Sequence, residues 1–292
     1  MIMPINSSGQ IIKKMHFARN DLRVLAAIRD CGFIRARQLM ELLPYRGLRK
    51  IGLTKTYGYA NRLAHMGLVV NNSIINAGLY DANKFNPRKY IGVYSVTNEG
   101  HTMLRVCNCG LEIPANPFNV GEASINHFVL LTDIMLKFYR ELTVKYWLTD
   151  FIVRSENQLR QEQGFAKDYD AVCEVKVGST WLTVAIEYEH TLKNRAKYTE
   201  LFKSYSSDPY VQLVVFVVDS PRWIAPFTES ITVTGTRLCF VTIEDFQSKP
   251  FNSMPIVRWK GNILEQSVLE DALQVAAKSK HTEFMVSHTN PI

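Results

Sequence analysis

Apolar residues recur along this chain at two periods, and the change from one to the other marks its elements. Between residues 20 and 31, Leu22, Val24, Leu25 and Ile28 fall near one side of a helix, with Asn20 as its cap and Gly32 as its stop. A second helix, IRARQLMELL, runs to Leu43 and is ended by Pro44. After a basic turn, YRGLRKIG, the stretch LTKTYGYANRLAHMG predicts a third. LVVNNSII and KYIGVYSVT read as extended segments, separated by a loop with Asp81, Lys84, Pro87, Arg88 and Lys89. TNEGHTMLRV predicts a closing helix capped by Thr97, and CNCGLEIPANPFNVGEA, with its prolines and glycines, a linker.

Beyond the linker, SINHFVLLTDIMLKFYRELT is a strongly amphipathic helix, with Ile125, Phe128, Val129, Ile134, Met135, Phe138 and Leu142 on its core face. YWLTDFIVRSENQLRQ reads as a strand and a turn. DAVCEVKV and TWLTVAIEYE alternate partly at period two around Gly178-Ser179, so they pair as a hairpin, which runs into a helix, TLKNRAKYTELFKSY. VQLVVFVVDS, bounded by prolines, reads as a strand buried on both faces, and TRLCFVTIEDF as another, with a short helix within residues 222–230 between them. NILEQSVLEDALQVAAKSK predicts a last helix and HTEFMVSHTNPI a polar tail.

The expected fold is α/β, α+β overall, in two domains. Three helices followed by a hairpin is the order of a winged helix, over residues 15–108; residues 109–123 are the linker, 124–280 a mixed-sheet α/β domain and 281–292 a flexible tail. A chain of 292 residues, 47% of them apolar, can bury two proper cores. No apolar run approaches the ~18 residues of a membrane span, and the first residues lack a signal core, which makes the cytoplasm the expected location. Five cysteines without CxxC spacing argue against a disulfide framework and a zinc ribbon.

Charge separates the two parts. Residues 1–120 carry 16 Lys and Arg against 6 Asp and Glu, a net of +10, whereas the rest of the chain has a net of −3. A basic first module meets a polyanion, and double-stranded DNA is the expected partner. Arg46, Arg49, Lys50, Lys55, Arg62, Arg88 and Lys89 would reach phosphates, while Tyr57, Tyr59, Asn61 and Arg62 of the third helix could reach base edges. The plainer alternative is a protein-docking module in which Tyr57 or Tyr59 is core.

Candidate chemistry gathers where the hairpin opens. Glu187 and Glu189 share one sheet face, Asp170 begins the partner strand, and Lys193 and Lys197 follow at i, i+4. Three carboxylates suit Mg²⁺ or Mn²⁺ with oxygen ligands, and a lysine beside them could orient water or balance phosphate charge. The bland alternative is a hairpin edge with solvated acids. His127 is expected to pack rather than act, Glu156 is a weaker further acid, and Tyr198 is more readily a packing residue than a nucleophile.

The stretch resembles the PD-(D/E)xK phosphodiesterase core, and the DA...IEYE...LK...KY succession resembles the replication-relaxation proteins and the MobC-type plasmid mobilisation proteins. Glu189 stands where that core usually has its lysine, so Lys193 would have to serve from the next helix. The resemblance implies a restriction-endonuclease-like domain and a metal-dependent nickase or relaxase of a mobile element, acting at a transfer or replication origin. Asp170, Glu187 and Glu189 would hold the metal, Lys193 would stabilise charge, and other mobilisation or relaxosome proteins would be partners, with the chain a monomer or homodimer. A non-catalytic DNA-binding accessory protein or regulator with a degenerate nuclease domain is the other expectation. Gly-rich phosphate loops, GxSxG and HExxH are absent from the sequence, which leaves little for an ordinary metabolic enzyme.

Overall fold

The helix α1, Arg19–Cys31, starts from an extended Ala18 whose N–H is accepted by the Asp21 carboxylate at 3.1 Å, so Asn20 lies inside the helix and is not its cap. Gly32, at φ 68°, ends it. These coordinates are a computed structural model, which describes residues 18–75, 90–107, 122–160, 164–189, 191, 193–229, 238–260 and 263–289. A two-residue strand β1, Ile34–Arg35, leads into α2, Ala36–Leu42; Pro44 then opens a 3-10 turn, Leu43–Arg46, and does not simply terminate the chain's helical path. Helix α3, Leu53–His65, precedes the antiparallel hairpin of β2, Val69–Ile75, and β3, Tyr90–Val96. The short β1 pairs with the other side of β3, giving the order β1-β3-β2. Thr97 caps α4, Asn98–Val106, by accepting the Gly100 N–H at 3.0 Å, as its sequence predicts. Arg88 and Lys89 lie outside the described residues, as does most of the expected linker.

The second part is built on a seven-stranded mixed sheet. Helix α5, Glu122–Glu141, is followed by β4, Thr143–Thr149, and α6, Asp150–Arg160. Strands β5, Ala171–Val177, and β6, Thr180–Glu189, meet at a tight turn in which Gly178 takes φ 59°. Then come α7, Arg195–Ser207, β7, Leu213–Val218, α8, Ile224–Thr228, β8, Leu238–Thr242, and α9, Ile243–Ser248. The hairpin of β9, Pro255–Lys260, and β10, Ile263–Val268, and the helix α10, Leu269–Thr289, complete the fold. The strand order is β10-β9-β8-β7-β6-β5-β4, with β6, β7 and β8 parallel and the outer pairs antiparallel.

Several segments differ from the sequence expectation, among them IEDF, which opens α9 instead of ending a strand, and Ile34–Arg35, a strand where the second helix is expected to begin. Residues 150–160 form a helix where a turn is expected, because Ile152 and Val153 turn inwards and Arg154, Gln158 and Arg160 outwards. ILEQSV is a strand rather than the start of the last helix, since β9 supplies a pairing partner along its whole length. The final helix continues to Thr289, through most of the expected tail.

One apolar cluster joins the sheet to α5, α9 and α10 and also to the helices of the first unit; a second lies on the opposite face beneath α6 and α7. The first unit therefore rests directly on α5. Phe33 stacks on Phe128 at 5.7 Å, and Phe128 on Phe151 of α6 at 4.7 Å. Arg35 donates to Asp133 at 2.9 Å, and Gln38 to Asp133 at 2.6 Å and to the Val129 carbonyl at 2.7 Å. Tyr45, in the 3-10 turn before α3, stacks on Tyr139 at 4.9 Å.

Candidate functional site

The β5–β6 register places Ala171 opposite Ile186, so the residues one step beyond, Asp170 and Glu187, face one another at the mouth of the hairpin. Ala171 and Ile186 belong to the core beneath α5, which turns their neighbours away from it. Asp170 Oδ2 accepts the Tyr188 N–H at 2.8 Å, and its Oδ1 lies 3.4 Å from His127 Nε2, near the start of α5. Glu187 accepts a 2.6 Å hydrogen bond from Lys167 Nζ, and both side chains are largely buried. Tyr188, which approaches the His127 ring at 5.4 Å, donates its hydroxyl proton to Asp219 at 2.7 Å. Asp150, the first residue of α6, keeps one buried carboxylate oxygen without a hydrogen-bond partner.

Burial sets the charge of this cluster. It raises Glu187 to about 7 against the pull of Lys167, and the neighbouring Asp170 pushes the same way. Asp150 rises to about 6, by burial first and by Asp170 second. Burial would raise Asp170 too, but the His127 contact and charge, the Tyr188 N–H and Lys167 overcome it and hold this carboxyl below its usual range. Burial lowers His127; the bond to Asp170 and the charges of Asp170, Asp150 and Glu187 outweigh it and raise the imidazole overall. At neutral pH the cluster thus contains an ionised Asp170 whose charge favours the protonated form of His127, beside a Glu187 poised to gain or lose a proton.

Glu189 belongs to a different set of contacts. Its side chain is ion-paired with Lys193, and this pair sits by Tyr198. Lys193 lies before the helix, not in it: the cap of α7 is Asn194, whose side chain accepts the Lys197 N–H at 2.9 Å, so Lys193 and Lys197 do not share a helical face. Tyr198 is buried, its hydroxyl oxygen accepts the Lys193 N–H at 2.8 Å, and burial lifts it to about 12, which keeps the phenol protonated at neutral pH. Glu156 pairs with Arg160 at 2.6 Å on α6.

An all-oxygen set with an orphaned Asp150 oxygen has the chemistry that a hard divalent cation takes. The arrangement as it stands does not: Glu187 is drawn to Lys167, Glu189 to Lys193, and among the described residues no three His, Cys, Asp or Glu side chains gather closely enough to hold a metal ion.

On the first unit, α3 buries Thr56, Ala60 and Leu63 and leaves Lys55, Tyr57, Asn61 and His65 exposed on the opposite side. Arg49 and Lys50 are exposed in the approach to it. Three of the residues expected to touch DNA are otherwise engaged. Arg46 pairs with the buried Asp30 at 3.1 Å, Arg62 is ion-paired with the buried Asp21, and Tyr59 packs on the core beneath the Arg62 guanidinium, 5.0 Å from its ring centre. The Tyr94 hydroxyl donates to Asn61 at 3.5 Å.

The residues that the sequence reading passes over are Lys167, Asp150 and Asp219, and it takes His127 as packing. Lys167 stands in the KDYD stretch three residues before Asp170, a charge at a strand mouth, and that was its only local signal. The chain matches no protein-family model, no curated protein and no solved structure.

Proposed function

We propose that the protein binds duplex DNA of a mobile element through its basic first unit, a winged helix, and acts on the phosphodiester backbone through a PD-(D/E)xK-like second unit, as a nickase at a transfer or replication origin. The observation that carries this reading is Asp170 facing Glu187 at the mouth of an antiparallel β5–β6 pair, followed by the α7 crossover to a parallel β7, with a lysine on the glutamate. The exposed Lys55, Tyr57 and Asn61 of α3, with Arg49 and Lys50, supply phosphate and base contacts. His127, held against Asp170, can pass a proton to or from a reacting oxygen. Lys167 can set its charge against a phosphate. Lewis-acid activation of the phosphate by Mg²⁺ or Mn²⁺ on Asp170 and Glu187 would require Lys167 to give up its place on Glu187.

The second reading, a non-cleaving DNA-binding accessory protein or regulator, is favoured by one observation. Glu187 and Glu189 each already hold a cation from the chain itself. The deciding experiment incubates a supercoiled plasmid carrying DNA from the source element with wild type or Glu187→Ala, in Mg²⁺, Mn²⁺ or chelator. Metal-dependent open circle from wild type alone supports the nickase. Salt-sensitive binding with no conversion in either metal supports the accessory protein.

A further inference from the structure

We propose that Lys167 is an internal cation occupying the place at the Asp170–Glu187 pair that a divalent metal would take, so that metal enters only by displacing it. This rests on reading that acid pair as the functional site.

Lys167 sits in a seat built for a cation. Its ammonium donates to Glu187 at 2.6 Å and to the Tyr205 hydroxyl at 3.4 Å. It lies 5.5 Å from the Tyr169 ring centre and 5.3 Å from that of Tyr205, two rings that stack 5.7 Å apart and are both buried. The backbone before it is anchored: Asp208 accepts the Ala166 N–H at 2.9 Å and the Tyr169 hydroxyl at 2.9 Å. Lys167 is 18% exposed, against 35% for Lys193, whose partner is Glu189. The charge balance points the same way. Two buried acids facing each other need a positive charge, and Lys167 acts on both. A lysine supplies one charge where a divalent ion would supply two, and Asp150, which the Asp170 charge also reaches, is left with an unpartnered buried oxygen.

Lys167→Met keeps the unbranched stem and removes the competing charge. Manganese binding to the full chain without DNA, measured by electron paramagnetic resonance, is expected to tighten by at least about tenfold in this variant. Lys145→Met, which removes a lysine paired with Glu174 on the β4–β5 surface, is expected to match wild type. Adding Glu187→Gln to Lys167→Met is expected to abolish the gain, which locates the ion. Near-ultraviolet circular dichroism reports folding, and Lys167→Gln, neutral but able to donate to Glu187, takes the place of the methionine variant if that one fails to fold.

Unchanged or weaker manganese binding in the folded neutral variant overturns the proposal. So does an equal gain in Lys145→Met. The plasmid assay on the same preparations separates the two claims. Nicking by wild type without a gain in the variant sinks the competition and keeps the site; a gain in the variant with no nicking by any preparation does the reverse.

Discussion

Asp170 and Glu187 face each other, yet the chain holds one as an anion and the other near its midpoint, because His127 and a backbone N–H serve Asp170 while Glu187 has Lys167 and a smaller pull from Lys193 against its burial and the Asp170 charge. The folded value of Glu187, about 7, lies above its ordinary 4.5, so its ionisation costs stability: none below the ordinary value, increasing through it, and complete above about 7. Removing Lys167 raises the folded value further, and the cost then keeps growing above pH 7. Urea unfolding should therefore show a wider gap between wild type and Lys167→Met at pH 8.5 than at pH 5.5; a gap that is constant or narrows would mean Lys167 does not support the Glu187 charge. His127 gives an independent reading of the same cluster. With Asp170→Asn the raising interactions weaken and burial remains, so the imidazole, followed by proton NMR, should titrate below its wild-type value.

At the scale of elements, α3 presents a polar face and a buried one at local spacing, and its exposed Lys55, with Lys50 in the approach to it, makes a graded prediction of the proposed DNA contact. Lys50→Gln and Lys55→Gln should each lower the slope of log K against log salt by about 1, leaving stability unchanged. Arg46→Gln should instead cost about 2 kcal/mol of stability, since it removes a charged partner from buried Asp30. Gly32→Ala tests the joint between the units: at φ 68° an added Cβ would lie 2.4 Å from the Phe151 ring, so a loss of more than ~1 kcal/mol is expected in thermal unfolding.

Elements of this kind were legible in the chain because their signals are local. The Val24, Leu25, Ile28 spacing of α1, the Thr97 cap and the all-apolar β7 each declare themselves within a few residues. The strand β10 and the helix α6 did not, for their identity depends on a partner strand and on a core contributed from elsewhere. The site divides the same way. Period-two alternation puts Asp170, Glu187 and Glu189 in place, whereas the Lys167–Glu187 bond spans 20 residues and depends on a loop tied down by Asp208. Lys193 shows the limit of spacing alone, because Asn194 starts the helix after it.

At the scale of the whole molecule, the first unit and the sheet share one apolar core, and α5 is common to both. The same helix carries His127 to the acid pair, holds Arg35 and Gln38 through Asp133, and stacks Tyr139 on Tyr45. Asp133→Ala would leave those two donors without their carboxylate, and a loss of about 2–4 kcal/mol is expected, in one calorimetric transition rather than two. On the proposed function, a helix that reads DNA and is fixed to the acid pair in this way would act at one distance from the sequence it reads.

The most direct test puts both activities on one molecule: an end-labelled duplex from the source element, on which footprint and nick are mapped together for wild type and Glu187→Gln in Mg²⁺ or Mn²⁺. The account predicts the same footprint for both proteins and a single nick, at a fixed offset from it, for wild type alone. A footprint with no nick under either metal, or a nick that survives in Glu187→Gln, would contradict it.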